Sequence, residues 1–187
     1  MTDKQLIYNQ LLVLRCQQGN KKAFEELIEL WEEKLLYYIR RLVGNEEDAW
    51  QILQQVWMIV FHSITKIREN KKFPAWIYGI ARNLALNHLR DRYSECSFLK
   101  EYEEYRDAGT VQKEDCIEVF ENAEQVHYGM SKLSLPYREV LTLYFFQDLC
   151  LEEIAEVLQT PVGTVKSRLY YAKRNLRNVI EGETKNE

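Results

Sequence analysis

The sequence predicts an all-α protein: two small helical domains, each large enough to close a core, joined by an acidic linker. Three observations carry this expectation. Glycine (7) and proline (3) are scarce in 187 residues, so few turns interrupt the chain. Apolar residues recur at three- and four-residue steps over long stretches, the period of a helix with one buried face. Between residues 94 and 124 that period stops and acidic residues dominate, with the cluster "EYEEYRDAG". The expected boundaries are therefore 1–94 for the first domain, 95–126 for a flexible acidic linker and 127–187 for the second domain.

In the first domain, "KKAFEELIELWEEKLLYYIRRLV" places Phe24, Leu27, Ile28, Trp31, Leu35, Tyr38, Ile39 and Leu42 on one helical face. Gly44-Asn45 ends that helix, with the glycine suited to a left-handed cap. "EEDAWQILQQVWMIVFHSI" begins the next helix with acids in the first turn, where the helix dipole favours them. "TKIRENKK" reads as a polar basic loop. "FPAWIYGIARNLALNHLRDRY" is a third long helix, with Pro74 near its start, where the missing N–H costs little. Phe73, Ile77, Ile80, Leu84 and His88 share one face of it, and His88 reads as a boundary or core histidine rather than a ligand. Trp76, Gly79, Asn83, Asn87 and Arg90 share a neighbouring stripe.

The second domain reads as three helices with short breaks: "LSLPYREVLTLYFFQDL", "CLEEIAEVLQ" and "TPVGTVKSRLYYAKRNLRNVI". In the last, Val165, Leu169, Ala172 and Leu176 form a narrow apolar stripe. Ile154, Ala155 and Leu158 supply the matching face on the helix before it, while Glu152, Glu153 and Glu156 stay in water. Thr160 is a candidate cap and Pro161 a candidate opener of the last helix. Two helices joined by a turn of about three residues form a helix-turn-helix. Opposite the core stripe lie Ser167, Tyr170, Tyr171 and Arg174. Lys166, Lys173 and Arg177 lie on one flank, Thr164 and Arg168 on the other.

Composition narrows the function. Hydrophobic residues are 46 % and charged residues 29 % of the chain, ordinary for a globular protein. No apolar run reaches the roughly 18 residues of a membrane span, and the N-terminus lacks the pattern of a secretory signal. A cytoplasmic location is expected. Cys16, Cys96, Cys116 and Cys150 are scattered, as free thiols in a reducing compartment would be. A zinc site from Cys96, Cys116 and His127 matches no ligand spacing. No nucleophile–base pair, phosphate loop or metal motif stands out, so neither an enzyme, a cofactor, a metal nor a small-molecule substrate is expected.

The charge is unevenly spread. The whole chain carries a formal net charge of −4. Yet residues 61–92 hold Lys66, Arg68, Lys71, Lys72, Arg82, Arg90 and Arg92 against only Glu69 and Asp91. Residues 160–180 hold five basic residues and no acidic one. Two basic blocks flanking an acidic one are two candidate polyanion-binding surfaces. Cations, hydroxyls and aromatics on the outward face of the last helix suit a major groove. Asparagines pair well with base edges, and an exposed aromatic stacks on an unpaired base, so the Trp76 stripe suits single-stranded or distorted DNA. Trp76 could equally be a core residue. "DAWQILQQVW" sets Asp48, Gln51, Gln54 and Gln55 beside Ile52, Val56 and Trp57, a pattern that fits core packing or a protein partner.

With those residues in place, the chain resembles a bacterial RNA polymerase sigma factor of the extracytoplasmic-function group. Residues 21–92 resemble sigma region 2, through "AFEELIELW", "RRLVGNEEDAWQILQQVW" and "FPAWIYGIARNLALNHLR". Residues 129–178 resemble sigma region 4, through "LSLPYREVLTLYFFQDLCLEEIAEVLQTPVGTVKSRLYYAKRNLR". The resemblance implies that region 2 binds the clamp helices of core RNA polymerase through Asp48, Gln51, Gln54 and Trp57. It implies minus-10 recognition and duplex opening through Lys71, Lys72, Trp76, Asn83, Asn87 and Arg90. Region 4 would read the minus-35 element with Thr164, Lys166, Ser167, Arg168, Tyr170, Tyr171 and Arg174, and touch the polymerase flap. An anti-sigma factor is the further partner it implies. The chain departs from the family where Trp50, Gln51 and Gln55 replace acids, so polymerase binding would lean less on carboxylates. Tyr171 stands where a basic residue is common. The competing reading is a stand-alone helix-turn-helix activator, which leaves Trp76, Asn83 and the Asp48 helix without a task.

Overall fold

A computed structural model of the chain describes residues 3–92 and 123–184. Those residues are helical and contain no strand. The first half holds α1 (Asp3–Gln17), α2 (Lys21–Val43), α3 (Glu46–Ser63) and α4 (Phe73–Arg92). The expected loop "TKIRENKK" holds two short 3-10 turns, Ile64–Lys66 and Asn70–Lys72. Local chemistry sets the boundaries. Asn20 Oδ1 accepts from the Ala23 amide at 3.1 Å and caps α2. Gly44 closes α2 in the left-handed region, at φ 74°, where a side chain would be strained. Asn45 then caps α3 by accepting from the Glu47 amide at 2.8 Å, and Glu46, Glu47 and Asp48 fill the first turn.

Aromatic edges build the core of this half. Trp31 meets Phe73 and Tyr78 edge-on at 5.4 and 5.8 Å, and Tyr38 meets Tyr78 at 5.2 Å. The α1 helix is the element with no counterpart in the sequence reading. Its apolar residues fall on both sides: Leu12, Val13 and Cys16 are buried while Ile7, Leu11 and Leu14 are exposed, so no single stripe stands out. Leu12 and Val13 dock it in the core, and polar bonds add to them. Trp31 Nε1 donates to the buried Asn9 Oδ1 at 2.8 Å, and Gln17 Nε2 donates to the carbonyls of Ile64 and Ile67.

The second half holds α5 (Ala123–Ser131), α6 (Leu135–Leu141), α7 (Leu151–Leu158) and α8 (Val162–Thr184). Pro136 opens α6, and a π-helical turn, Thr142–Phe146, prolongs it. Thr142 Oγ1 donates to the Arg138 carbonyl at 2.7 Å within that bend. At the start of α7 the Cys150 amide donates to Glu153 Oε2 at 2.8 Å. The α5 and α8 helices approach closely at Gly129, where a Cβ would lie 2.7 Å from Leu176 Cδ1. Because α5 begins at Ala123, the second half starts before the boundary expected at 127. The remainder of the expected linker lies outside the described residues, as do Cys96 and Cys116 of the weighed zinc site.

The two halves pack against each other, α4 on α7 and α2 on α6. That contact explains why α4 buries more than one stripe. Phe73 and Ile77 are buried as the pattern requires, whereas Ile80, Leu84 and His88 are only half-buried. Ala81, Arg82, Ala85, Leu86 and Leu89 take the buried positions instead.

Candidate nucleic-acid interface

The helix-turn-helix is built as the spacing requires. Gln159, Thr160 and Pro161 separate α7 from α8, and Gln159 turns the chain in the left-handed region at φ 53°. Val165, Leu169, Ala172 and Leu176 are all buried. The matching face of α7 is Ile154, Val157 and Leu158, with Ala155 only half-buried, so Val157 takes the position given to Ala155. Pro161 rather than Thr160 opens α8, its carbonyl accepting from the amides of Thr164 and Val165. Thr160 Oγ1 is buried and caps nothing.

The outer face of α8 is smaller than the sequence suggests. Lys166 and Arg174 are exposed, and Thr164, Tyr170 and Tyr171 are half-buried. The two tyrosine rings meet edge-on at 5.3 Å, which stiffens both. Ser167 and Arg168, expected to face a groove, are 5 % and 3 % exposed. The Ser167 hydroxyl folds back and donates to the Thr164 carbonyl at 3.0 Å. Arg168 lies three residues after Val165 and four before Ala172, so helical register carries it toward the core stripe.

In the first half, Asn83, Asn87 and Arg90 form an exposed row along α4. Trp76 is half-buried at the head of that row, its ring tilted against Phe73 at 6.0 Å. Its contact with Phe73 ties it to the core, and its partial exposure leaves some of it to solvent. Lys71 and Lys72 are exposed in the second 3-10 turn, both 3.6 Å from Glu69. Arg82 must be removed from the basic surface. It is 6 % exposed, and its Nε donates to Glu139 Oε1 at 2.8 Å.

The face of α3 splits in two. Gln51 and Gln54 are exposed, as a partner-binding pair requires. Trp57 is not: it is 9 % exposed and meets Phe24 edge-on at 6.0 Å, so it belongs to the core. Asp48 is held internally, with its Oδ2 accepting from Arg92 Nη1 at 2.5 Å and lying 3.3 Å from His88 Nε2. The Arg92 bond ties α3 to α4. Beside the glutamines the helix exposes Trp50, Met58 and Phe61 at 40, 64 and 61 %. Met58 and Phe61 are apolar residues off the buried period to which the sequence reading gives no surface role, whereas Trp50 stands where the resemblance expects a polymerase-binding acid.

Comparisons with known proteins bear on both halves. Residues 27–95 match the family model for sigma-70 region 2, and residues 123–176 match the model for sigma-70 region 4. The RNA polymerase sigma-H factor of Pseudomonas aeruginosa is 31 % identical over 185 residues, covering 92 % of this chain and 94 % of that protein. The ECF RNA polymerase sigma-E factor of Haemophilus influenzae is 31 % identical over 183 residues, covering 92 % and 95 %. The ECF RNA polymerase sigma factor SigW of Bacillus subtilis is 29 % identical over 177 residues, covering 90 % and 94 %. Among solved structures, CnrH in complex with the cytosolic domain of CnrY aligns with a TM-score of 0.68 at 21 % identity, over 94 % of this chain and 98 % of that one. RpoE of Bartonella quintana, in complex with the anti-sigma factor NepR, aligns with a TM-score of 0.66 at 19 % identity, over 86 % and 98 %. The two structures share the fold.

Proposed function

The chain belongs to the sigma-70 family, in its extracytoplasmic-function group, and acts as a sigma factor in promoter-directed transcription initiation; on that premise we propose which side chains carry the work. Core RNA polymerase docks on α3 through Gln51, Gln54 and the exposed Trp50, Met58 and Phe61. Asp48 positions this face by holding α3 to α4. The α4 row of Asn83, Asn87 and Arg90, with the exposed part of Trp76, takes the minus-10 element. Asparagine reads base edges, the indole stacks on a flipped or unpaired base, and Lys71 and Lys72 hold the backbone.

The α8 face takes the minus-35 element in the major groove. Lys166 and Arg174 meet phosphates or guanine edges, and Thr164, Tyr170 and Tyr171 add hydroxyl and ring contacts. Ser167 and Arg168 hold the helix rather than read DNA. The observation that carries this reading is the pairing of the two family matches with an exposed asparagine row in one half and exposed α8 cations in the other.

No helix among the described residues is long and apolar enough to cross a membrane; a cytoplasmic place of action is proposed from the sigma-factor relatives. Sigma factors direct transcription without chemistry of their own, and no reaction is assigned to this chain. An anti-sigma partner is proposed by extension from the complexes named for the two solved neighbours. The test is to mix the protein with sigma-free core polymerase and promoter DNA. A stable complex and a promoter-specific transcript support the reading. Tight duplex binding without polymerase, and no transcript with it, supports a stand-alone activator instead.

A further inference from the structure

The α1 helix is apolar on two opposite sides. Leu12, Val13 and Cys16, with Asn9, are buried against the core. At about 100° per residue, Ile7, Leu11 and Leu14 fall on the far side, spaced by four and then three residues. They are 67, 40 and 44 % exposed, and Tyr8 on their flank is 45 % exposed. Neither the polymerase face nor the two DNA faces use them. A surface helix normally turns polar residues to water. At these exposures the four side chains leave roughly 400 Å² of apolar surface uncovered, a patch of the size that is often functional.

The charges around the stripe narrow its partner. From Lys4 to Gln17 α1 carries no acid, and Lys4 and Arg15 lie on the same flank as Tyr8. The acids on that flank come from α2. The Tyr8 hydroxyl donates to Glu26 Oε2 at 2.7 Å, and Glu29 lies near enough to act on the same hydroxyl. Glu25, Glu26 and Glu29 are all exposed, and such a row is repelled by an anionic membrane. A second copy of the chain fits instead. The four-and-three spacing is that of a two-stranded helical seam. A two-fold axis through Leu11 sets Leu11 on itself and Ile7 against Leu14 of the second copy. It also brings Arg15 level with Tyr8 and Glu26 of the second copy, so the flank complements itself. With the stems of Lys4 and Arg15 laid along the seam, the pair buries roughly 1,000 Å² in total, the lower limit of a specific interface. Such a contact is isologous and stops at a dimer.

We propose that α1 is a self-association surface: the Ile7, Leu11 and Leu14 stripe packs antiparallel on the same stripe of a second copy, and Arg15 meets Glu26 across the two-fold axis. The small area makes the dimer weak, with a dissociation constant of about 10–100 µM. The α3, α4 and α8 faces take no part, so the contact stands apart from the assignment of polymerase and promoter residues.

The test follows the full chain by sedimentation equilibrium from about 5 to 500 µM, a range that brackets this constant. The wild type should pass from one chain toward two. Leu11→Lys sets like charges on the axis and should weaken association at least tenfold, with helical signal and melting temperature kept because Leu11 faces water in the single chain. Arg15→Glu should weaken it several-fold, and Arg15→Glu combined with Glu26→Arg should restore it. A wild type that stays monomeric across the range overturns the proposal. Leu11→Lys pairing as tightly as the wild type also overturns it, since the contact then lies elsewhere. An Arg15→Glu variant with unchanged association overturns the two-fold register. If Leu11→Lys loses its helical signal, Ile7→Lys decides by the same criterion. A monomeric wild type whose Leu11→Lys variant loses core polymerase assigns the stripe to polymerase, and one that binds vesicles of anionic phospholipid assigns it to a membrane; either result overturns the dimer.

Discussion

The outer face of α8 allows a test with a calculable magnitude. Lys166 and Arg174 are exposed and have no ion pair with a described residue, so both are available to phosphates. Each phosphate neutralised adds about −0.9 to the slope of log K against log salt. Between about 0.05 and 0.2 M salt, losing one contact therefore shrinks the fall in affinity about 3.5-fold, and losing two shrinks it about 12-fold. Arg168 is the internal control, because it is 3 % exposed. Binding of the polymerase complex to a labelled promoter, followed by fluorescence anisotropy across that range, reads the slope directly. Lys166→Ala should reduce the slope by about 0.9, and the Lys166→Ala, Arg174→Ala double variant by about 1.8. Arg168→Met should leave it unchanged and lower the melting temperature instead. An unchanged slope in the double variant, or a fall of about 0.9 in Arg168→Met, would refute the assignment of the α8 face.

Three more expectations address other parts of the molecule. Leu169→Ala, within the buried α8 stripe, should cost about 2–5 kcal/mol in denaturant unfolding; a loss well under 1 kcal/mol would mean the helix-turn-helix is not packed as described. Asn83→Ala should impair promoter opening, read as lost permanganate reactivity at the minus-10 thymines, while core binding persists. Loss of core binding instead would make Asn83 a structural residue. The third concerns pH. His127 has its pKa lowered below the ordinary 6.5 by burial first, and then by the cations of Arg41 and Arg40; Tyr37 of α2 also faces it. The neutral ring accepts the Arg41 bond, and a protonated one cannot. This contact between the two halves is therefore complete above pH 6.5 and is lost as pH falls through the lowered value. Scattering should show expansion on acidification, and His127→Phe should remove most of that response; identical acid expansion in His127→Phe argues against the histidine.

Much of the site was legible because helices are local. The α8 stripe follows from residue spacing alone, and all four expected residues are buried. The Gly44 and Asn45 signals worked because caps depend on neighbours one to four residues away. The errors fall where a second element intervenes. Angles on a single helix place Ser167 outward, and the resemblance puts Trp57 at the polymerase contact, but the exposure of each depends on what packs beside its helix. Arg82 was counted with the basic surface because charge counting is blind to partners. Its carboxylate lies 57 positions away in sequence. The partner of Asp48, expected at the polymerase contact, escapes for the same reason: Arg92 lies 44 positions away.

By itself, then, the sequence determined the family, the helical class, the helix-turn-helix and the two basic blocks separated by acid. Periodicity, capping and composition act over a few residues and survive without a fold. Only the tertiary structure decided which of those charged and aromatic residues reach solvent. It also revealed the polar contact between the two halves on which Arg82, Glu139 and Tyr38 converge. Burial is a property of what surrounds a residue, and the surroundings of Glu139 come from helices 57 and 101 residues earlier in the chain.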